Sequence, residues 1–210
     1  RRSTLEEYVQ EAETATDILM RNLGRAAELI ANFKQVAVDQ TSSQRRRFNL
    51  AEVTNEIIVT MQPVFRKTPF QIDNQIPSDI NLDSYPGPFG QVIGNLLNNA
   101  VLHAFEGRSE GKITLSIESR DEKTICLHCR DNGAGIPPEN LHKIFDPFFT
   151  TRLGREGTGL GLNIVHNIVT GVLGGEIRVS SQAGQGTDFA IILPLQAPLA
   201  AASTPSIASA

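Results

Sequence analysis

The sequence lacks tryptophan, has only two cysteines, and contains no apolar run long enough to cross a membrane. A membrane-spanning helix needs about 20 consecutive apolar residues. No signal-peptide pattern opens the chain either, so we expect a cytoplasmic domain. Attachment to a membrane would require segments upstream of Arg1, as in a membrane-anchored protein.

An excess of one charge sign is also missing. Acidic and basic residues are mixed along the 210 residues, and the formal net charge is -4. A nucleic-acid-binding protein would show a basic stripe interleaved with aromatic side chains. We therefore expect no nucleic-acid partner. Since 40% of the residues are apolar, the chain can bury the core of one ordinary domain with an appendage.

The two cysteines form a single CLHC motif at Cys126 and Cys129, inside the apolar stretch TICLHCR. A structural zinc site of this type would need a second pair of ligands, which the sequence does not contain. We therefore interpret both residues as reduced thiols buried in a strand.

Composition divides the chain into three segments. Residues 1–44 carry an apolar stripe at spacings of three and four from residue 5 to residue 38, which predicts one long helix. Such a stripe needs a partner helix, so we expect a helical hairpin that forms a homodimer; the alternative is a solvent-bridging appendage. A polar, basic stretch at residues 41–47 marks the start of a domain at 45–195. Residues 196–210 are uncharged and rich in Ala, Pro, Ser and Thr, which predicts a disordered tail or linker.

Residues 45–195 mix the patterns of helices and strands. Asn49 can cap one helix, and Pro86 and Pro88 start another whose apolar residues recur at helical spacing. Strands are predicted for five segments: PFQIDNQI, KITLSIE, TICLHCR, GEIRVSS and TDFAIIL. We expect an α+β fold, namely a two-layer α/β sandwich with a mixed, mostly antiparallel sheet and helices on one face, preceded by the long helix.

The helix that starts at Pro86 carries a polar row at intervals of four: Gln91, Asn95, Asn99 and His103. Residues four apart share a helix face, so the two asparagine carboxamides should project together. Amide oxygens suit Mg²⁺, which commonly shares its coordination with substrate phosphates. By itself, the row also fits a hydrogen-bonded helix surface, and this alternative stays open.

Three loops carry further signals. DNGAGIP (residues 131–137) follows a strand, and its glycines allow a ligand to approach the backbone, although the same letters are typical of a tight turn. GTGLGLNIV (157–165) is a glycine-rich loop running into a helix, where N–H groups can hold phosphate oxygens; it is neither a Walker A loop nor a Rossmann fingerprint. Between them, IFDPFFTTRLGREG (144–157) could form a mobile lid with a docking aromatic side, or bury its phenylalanines in the core.

In this order, NxxxNA (95–100), DNGAGIP, FDPFF, GTGLGL and GQGT (184–187) resemble the N, G1, F, G2 and G3 boxes of the catalytic domain of bacterial sensor histidine kinases, members of the GHKL ATPase superfamily. The resemblance covers residues 48–195, and the preceding helix is similar to the second helix of the dimerisation and phosphotransfer hairpin. It implies a Bergerat-type fold that binds ATP and Mg²⁺, a protein-histidine kinase activity, and a response regulator receiver domain as partner in a two-component system.

The resemblance also implies residue roles. Asn99 would ligate Mg²⁺ with help from Asn95 and His103, and these three are the expected catalytic residues. Asp131 would accept a hydrogen bond from the adenine amino group. The other expected nucleotide-binding residues lie in the glycine boxes and the lid: Gly133, Gly135, Ile136, Arg152, Gly157, Thr158, Gly159, Leu160, Gly161, Leu162 and Thr187.

Within this set, Gly133 and Gly135 would leave room for the purine, and Thr187 would lie near the base. Gly157, Gly159 and Gly161 would let the lid close over the phosphates. Arg152 or Arg155 would steady the γ-phosphate, an expectation that rests on charge and location.

The sequence departs from the family at the phosphoacceptor. The four histidines lie in HAFE, HCRD, HKIF and HNIV, and none fits the family pattern H-[ED]-x-x-x-P-L. We therefore expect transfer to a histidine that is not present here, and no autophosphorylation of this chain alone.

Two alternatives remain. GHKL ATPases that drive a conformational cycle carry Glu at the first N-box position, where this chain has Asn95, which cannot act as a general base. The other is a nucleotide-binding scaffold that has lost transfer.

Overall fold

The computed structural model describes residues 10–12, 14–16, 19–20, 44–66, 68–151 and 159–199. Residues 10–12, 14–16 and 19–20 are helical, as expected for this part of the predicted long helix. The remainder of that helix lies outside the described residues, and its pairing into a dimer stays a prediction. None of the described helices has the length and apolar character required to cross a membrane.

The strands form two sheets. Antiparallel pairing joins β1 (Arg46–Asn49) to β3 (Asn81–Ser84), a small sheet that the sequence did not predict. The larger sheet has the order β2-β4-β5-β7-β6, built from β2 (Phe70–Asn74), β4 (Gly111–Arg120), β5 (Thr124–Asp131), β6 (Glu176–Gln182) and β7 (Gly186–Pro194). Only β2 and β4 pair in parallel among these neighbours, so the expected mixed, mostly antiparallel sheet is confirmed.

Four α-helices are described beside the helical residues near the start of the chain: α1 (Leu50–Phe65), α2 (Pro86–Asn99), α3 (Pro138–Leu141) and α4 (Gly161–Asn167). As predicted, Asn49 caps α1, because its Oδ1 accepts a hydrogen bond from the Glu52 N–H at 3.0 Å. Pro86 occupies the first turn of α2, where no intrahelical donor is needed. Both α2 and α4 continue into π-helical turns, Ala100–Ala104 and Ile168–Val172.

One face of the large sheet is buried under the helices. Residues at odd positions of β5 and β7 alternate into the core, which α2 completes from the other side. The fully buried side chains at this junction include Phe89, Val92, Ile93, Leu97, Leu127 and Ile191. The two-layer arrangement expected from the sequence is therefore confirmed.

The opposite face of the sheet is polar. The His128 ring lies between the Asp188 and Glu118 carboxylates, at 2.8 Å from each. Cys126 shares this face, and its Sγ lies 3.3 Å from His128 Nε2. Cys129 instead points into the core, and burial raises the pKa of its thiol. Both cysteines are free, as predicted, although only Cys129 is fully buried.

The packed domain extends beyond the expected boundary at residue 195. The N–H of Ala197 donates to the Asp83 carbonyl at 2.9 Å, and the Tyr85 hydroxyl donates to the Pro198 carbonyl at 2.9 Å. Arg45 holds the Asp83 carboxylate with both Nε and Nη2. Backbone pairing with β3 thus keeps residues 196–198 on the domain, which an uncharged composition could not reveal. Residues 200–210, the rest of the predicted tail, lie outside the described residues.

We predict that Ala197→Asp destabilises the domain by about 2–4 kcal/mol, because it forces a carboxylate into a site where only 2% of the alanine is exposed. The same substitution at Leu199, which is 80% exposed, should change the free energy of unfolding by less than about 0.5 kcal/mol. Urea unfolding measures both. Equal effects of the two substitutions would show that the segment does not pack in solution.

Candidate functional site

The predicted asparagine pair lies on the last turns of α2. The Asn95 amide nitrogen donates to the Gln91 carbonyl at 3.0 Å, which fixes the direction of its Oδ1. A Cβ placed on Gly161 would lie 3.6 Å from Asn95 Oδ1 and 3.5 Å from Asn99 Oδ1. The two carboxamides therefore converge on the first residue of α4, so the structure brings Asn95, Asn99 and Gly161 together.

Asn99 carries an unpartnered polar atom. Its Nδ2 is buried and has no hydrogen-bond partner, a state that no other buried side-chain nitrogen or oxygen shares among the described residues. Leaving such an atom unpaired costs about 1–3 kcal/mol. Because the two ends of an amide can exchange by rotation without a change of shape, the position can offer either a donor or an acceptor. A polar ligand at this point would remove the penalty.

His103, the last member of the predicted row, follows the asparagines in a different type of helix. It lies in the π-helical turn Ala100–Ala104, whereas Asn95 and Asn99 lie in regular α-helix. Because the repeat of a π-helical turn differs from that of an α-helix, four-residue spacing does not by itself fix where His103 stands relative to Asn99. His103 is half-buried.

A second group of polar residues lies at one end of the large sheet. The strand register sets Asp131 of β5 opposite Thr187 of β7, and Thr187 opposite Ser181 of β6. All three continue the alternation that faces the helices. We call these three residues the cross-strand row. Sequence patterns identified Asp131 and Thr187 but missed Ser181, although the period-two alternation of GEIRVSS already places it on the inner face.

The Asp131 carboxylate is held by backbone donors. Its Oδ1 accepts from the Gly133 N–H at 2.8 Å and from the Thr187 N–H at 3.3 Å. Burial raises the pKa of this carboxyl, and these two hydrogen bonds and the charge of Arg108 offset only part of the shift. The protein thus keeps a poorly solvated carboxylate, with Oδ2 left out of both bonds.

The loop after β5 connects the cross-strand row to α2 through Ala134. Its N–H donates to the Ala104 carbonyl at 2.8 Å, and its carbonyl accepts from the Gly184 N–H at 2.6 Å. A Cβ on Gly133 would overlap Ala104, and a Cβ on Gly135 would overlap the Gln182 carbonyl. Packing within the protein therefore requires glycine at both positions. The resemblance implied a different reason, namely that the two glycines leave room for a purine. Ile136 follows, with its N–H on Ser181 Oγ at 2.8 Å.

The glycine-rich loop is described only from Gly159 onward. Gly159 has φ of +67°, and its missing Cβ makes room for the backbone of Phe148 and Phe149. Leu160 precedes α4 directly, and Leu162 packs against the core. Arg152, Arg155, Gly157 and Thr158 lie outside the described residues, so their predicted roles remain predictions.

The aromatic segment before this loop divides between core and solvent. Phe145 and Phe149 pack against the core, whereas Phe148 is 63% exposed and has φ of +66°. Asn163 of α4 ties the segment down by donating to the Phe145 carbonyl at 2.8 Å. The sequence left open whether the segment is a mobile lid with a docking aromatic side or buries its phenylalanines in the core, and neither interpretation holds for all three phenylalanines.

The carboxamides of Asn95 and Asn99 favour a hard cation whose coordination shell also contains ligands from outside the protein. Among the described residues, no three His, Cys, Asp or Glu side chains are arranged to hold a metal. The converging carboxamides, with an amide atom unpartnered at Asn99, are compatible with Mg²⁺, which binds few protein oxygens and keeps several waters.

Known proteins match this chain in both sequence and structure. The family described as histidine kinase-, DNA gyrase B-, and HSP90-like ATPase matches residues 85–197. The autoinducer 2 sensor kinase/phosphatase LuxQ of Vibrio vulnificus is 33% identical over 176 residues, which cover 80% of this chain but only 20% of that protein. The chain thus spans about a fifth of the length of this relative.

Two solved structures are also similar. The catalytic domain of histidine kinase ThkA, in a nucleotide-free form, superposes with a TM-score of 0.64 at 30% identity, covering 73% of this chain and 97% of that domain. Full-length ShkA in complex with AMPPNP gives a TM-score of 0.60 at 25% identity, covering 75% of this chain and 32% of that protein.

We predict that Asp131→Asn stabilises the ligand-free domain at pH 7, by about 1 kcal/mol. The raised pKa means that ionised Asp131 is penalised in the folded state; this penalty is complete above the folded pKa and absent below the unfolded pKa. Asparagine keeps the acceptor for Gly133 and Thr187 without the charge. Urea unfolding should therefore show a gain at pH 7 that disappears near pH 3. A loss of stability at pH 7 would contradict this account.

Proposed function

The chain belongs to the histidine kinase-, DNA gyrase B-, and HSP90-like ATPase family and carries the ATP-binding catalytic domain of a sensor histidine kinase, and from this we propose how its residues bind ATP. Asp131 and its neighbours at the sheet end bind the adenine. Asn95 and Asn99 bind the phosphate end with Mg²⁺. The observation that carries the proposal is the buried, unpartnered amide nitrogen of Asn99 beside the start of α4.

On the base side, Asp131 is a suitable acceptor for an amino group. Its Oδ1 is occupied by two backbone N–H groups, so Oδ2 can accept a hydrogen bond from the adenine amino group. The raised pKa of its carboxyl reports poor solvation, and a hydrogen bond from a ligand would restore part of the lost solvation. Burial of Thr187 and half-burial of Ile136 keep water away from the same region.

On the phosphate side, the carboxamides of Asn95 and Asn99 face the glycine that opens α4. A side chain at Gly161 would contact both amides, so glycine keeps this space available to phosphates. The backbone N–H groups at the start of α4 add favourable dipoles. His103 would assist from the π-helical turn and Leu160 from the position before α4, and Leu162 packs the loop against the core. Gly157, Thr158 and Arg152 complete the proposed site from the sequence.

Mg²⁺ fits the donor set, and Asn99 would hold it. When bound, the ion would neutralise phosphate charge during phosphoryl transfer. The hydrogen bond from Asn95 Nδ2 to the Gln91 carbonyl holds the Asn95 carboxamide in place, and its Oδ1 lies on the same side as that of Asn99. The chain's own contribution is thus positioning, which is what phosphoryl transfer mainly requires of a protein.

In the whole protein, we propose that the γ-phosphoryl group passes to a histidine outside this chain and then to a response regulator receiver domain. The histidines described here fit other tasks: His128 is enclosed by two carboxylates, and His166 packs on Phe145 with ring centroids 5.4 Å apart. A dimer formed through the helical stem would bring the acceptor helix to the nucleotide.

The competing ATPase cycle would require a base near the attacking water. The N-box residue Asn95 donates to a backbone carbonyl and has no useful basicity. We therefore favour transfer to histidine over hydrolysis.

We predict that Asn99→Ala weakens binding of Mg²⁺·ATP by about 10- to 100-fold, as expected for one hydrogen bond or metal contact to a charged ligand. Asn98→Ala is the matched control, since Asn98 is the adjacent asparagine on α2 and its side chain is exposed. Titration with a fluorescent ATP analogue, with Mg²⁺ and with EDTA, measures both. Binding that is indifferent to Asn99 would reject the phosphate-side assignment and promote the scaffold alternative.

A transfer assay tests the activity. We expect γ-labelled ATP to leave label on a supplied dimerisation hairpin that contains an acceptor histidine, and no stable label on this chain. Replacement of the acceptor histidine by Gln in the supplied hairpin is the control. Steady ATP hydrolysis without any acceptor would instead favour the ATPase cycle.

A further inference from the structure

The Ser181 hydroxyl joins three parts of the proposed base site. Its Oγ accepts from the Ile136 N–H at 2.8 Å and donates to the Gly186 carbonyl at 2.7 Å. It also lies 3.1 Å from Thr187 Oγ1. Ser181 therefore contacts the loop after β5, the first residue of β7 and the middle residue of the cross-strand row, all with one atom.

The protons of this cluster can be assigned by counting. A serine hydroxyl has one proton and two lone pairs. The Ile136 N–H can only donate and the Gly186 carbonyl can only accept, so the Ser181 proton points to Gly186 and one lone pair to Ile136. The Thr187 hydroxyl then meets the second lone pair and donates its own proton to Ser181.

The direction of the Thr187 proton decides what the cross-strand row offers to a base. With its proton directed to Ser181, Thr187 Oγ1 has only lone pairs for any other neighbour. The adjacent Asp131 carboxylate likewise only accepts when ionised. Two acceptors side by side match an amino group and oppose a carbonyl oxygen, which has no proton to give.

We propose that Ser181 is a positioning residue that turns the Thr187 hydroxyl into an acceptor, so that the cross-strand row selects a 6-amino purine over a 6-oxo purine. This inference rests on the proposed function, since it requires the base to lie against Asp131. Ser181 itself touches no base; it acts through Thr187.

The test compares ATP with ITP, because the base of ITP has an oxygen in place of the 6-amino group. We expect the wild-type chain to prefer ATP. Ser181→Ala should lower the ratio of the ITP dissociation constant to the ATP dissociation constant by about 5- to 10-fold. The freed Thr187 hydroxyl can then donate a hydrogen bond to the 6-oxygen of ITP. Ser181→Thr restores a hydroxyl and should recover most of the preference. Ser180→Ala is the matched control, on the neighbouring exposed position of β6.

A purely structural role for Ser181 gives a different result. Loss of its contacts to Ile136 and Gly186 would weaken both nucleotides equally and leave the ratio unchanged. The Thr187→Val background separates the two roles: it removes the hydroxyl, so Ser181→Ala should no longer alter the ratio there. If Ser181→Ala does not fold, Thr187→Val alone decides, since an unchanged ratio in that variant overturns the proposal.

The outcomes also separate this inference from the proposed function. ATP binding that depends on Asp131 but shows the same ATP-to-ITP ratio in the Ser181→Ala variant overturns this inference alone. Failure of the chain to bind either nucleotide, or binding that Asp131→Asn leaves intact, overturns the proposed function and this inference with it. A narrowed ratio that requires Thr187 supports both.

Discussion

The site depends on one close approach of backbone to backbone, between the loop after β5 and the end of the helix that carries the asparagines. Ala134 donates to Ala104 on one side and accepts from Gly184 on the other, so a single residue fixes the N-box helix, the loop and the β6–β7 turn. Neither contact survives if Gly133 or Gly135 gains a side chain, because each would overlap backbone. The separation between the carboxamides and the cross-strand row is thus set by atoms that need not touch a ligand.

A site held this firmly can retain groups that are costly when no ligand is present. The Asp131 carboxylate is poorly solvated, and the Asn99 amide has a buried unpartnered atom. Each costs free energy in the folded protein. The N–H groups of Gly133 and Thr187 offset only part of the cost at Asp131, and the Asn99 Nδ2 atom has no partner. Such groups are candidate binding positions, because a ligand that pairs with them replaces the hydrogen bonds to water that they lost on folding. Asp131 ends β5, and Asn99 lies on the helix whose π-helical extension the following loop contacts at Ala104; two such separate positions suit an elongated ligand with an amino group at one end and charged oxygens at the other.

The sequence predicted the architecture because its period-two and helical patterns report burial directly. The α2 stripe and the alternation of β4, β6 and β7 follow from which side chains avoid water, and the Asn49 cap follows from a backbone N–H that needs a partner. The π-helical turn after Asn99 could not be predicted this way, since AVLHA has no letter that distinguishes it from α-helix. Ser181 was missed for another reason: its contacts depend on the register of β6 against β7, which places it opposite Thr187, and on the Ile136 N–H from a loop 45 residues away in sequence. The packing of residues 196–198, which were expected to belong to a tail, could not be predicted because composition does not report backbone pairing with β3.

The aromatic segment shows how the same contacts extend the site towards the surface. Gly159 packs on the backbone of Phe148 and Phe149, and Asn163 holds the Phe145 carbonyl. The start of α4, which meets the asparagines at Gly161, is therefore also the support of the segment. Phe148 adopts a left-handed backbone conformation that costs about 1–3 kcal/mol in a residue other than glycine, although its side chain gains little burial in return. The strain is held by the contacts at Gly159 and Phe145, so a displacement of α4 at the phosphate side must either carry Phe148 with it or break those contacts.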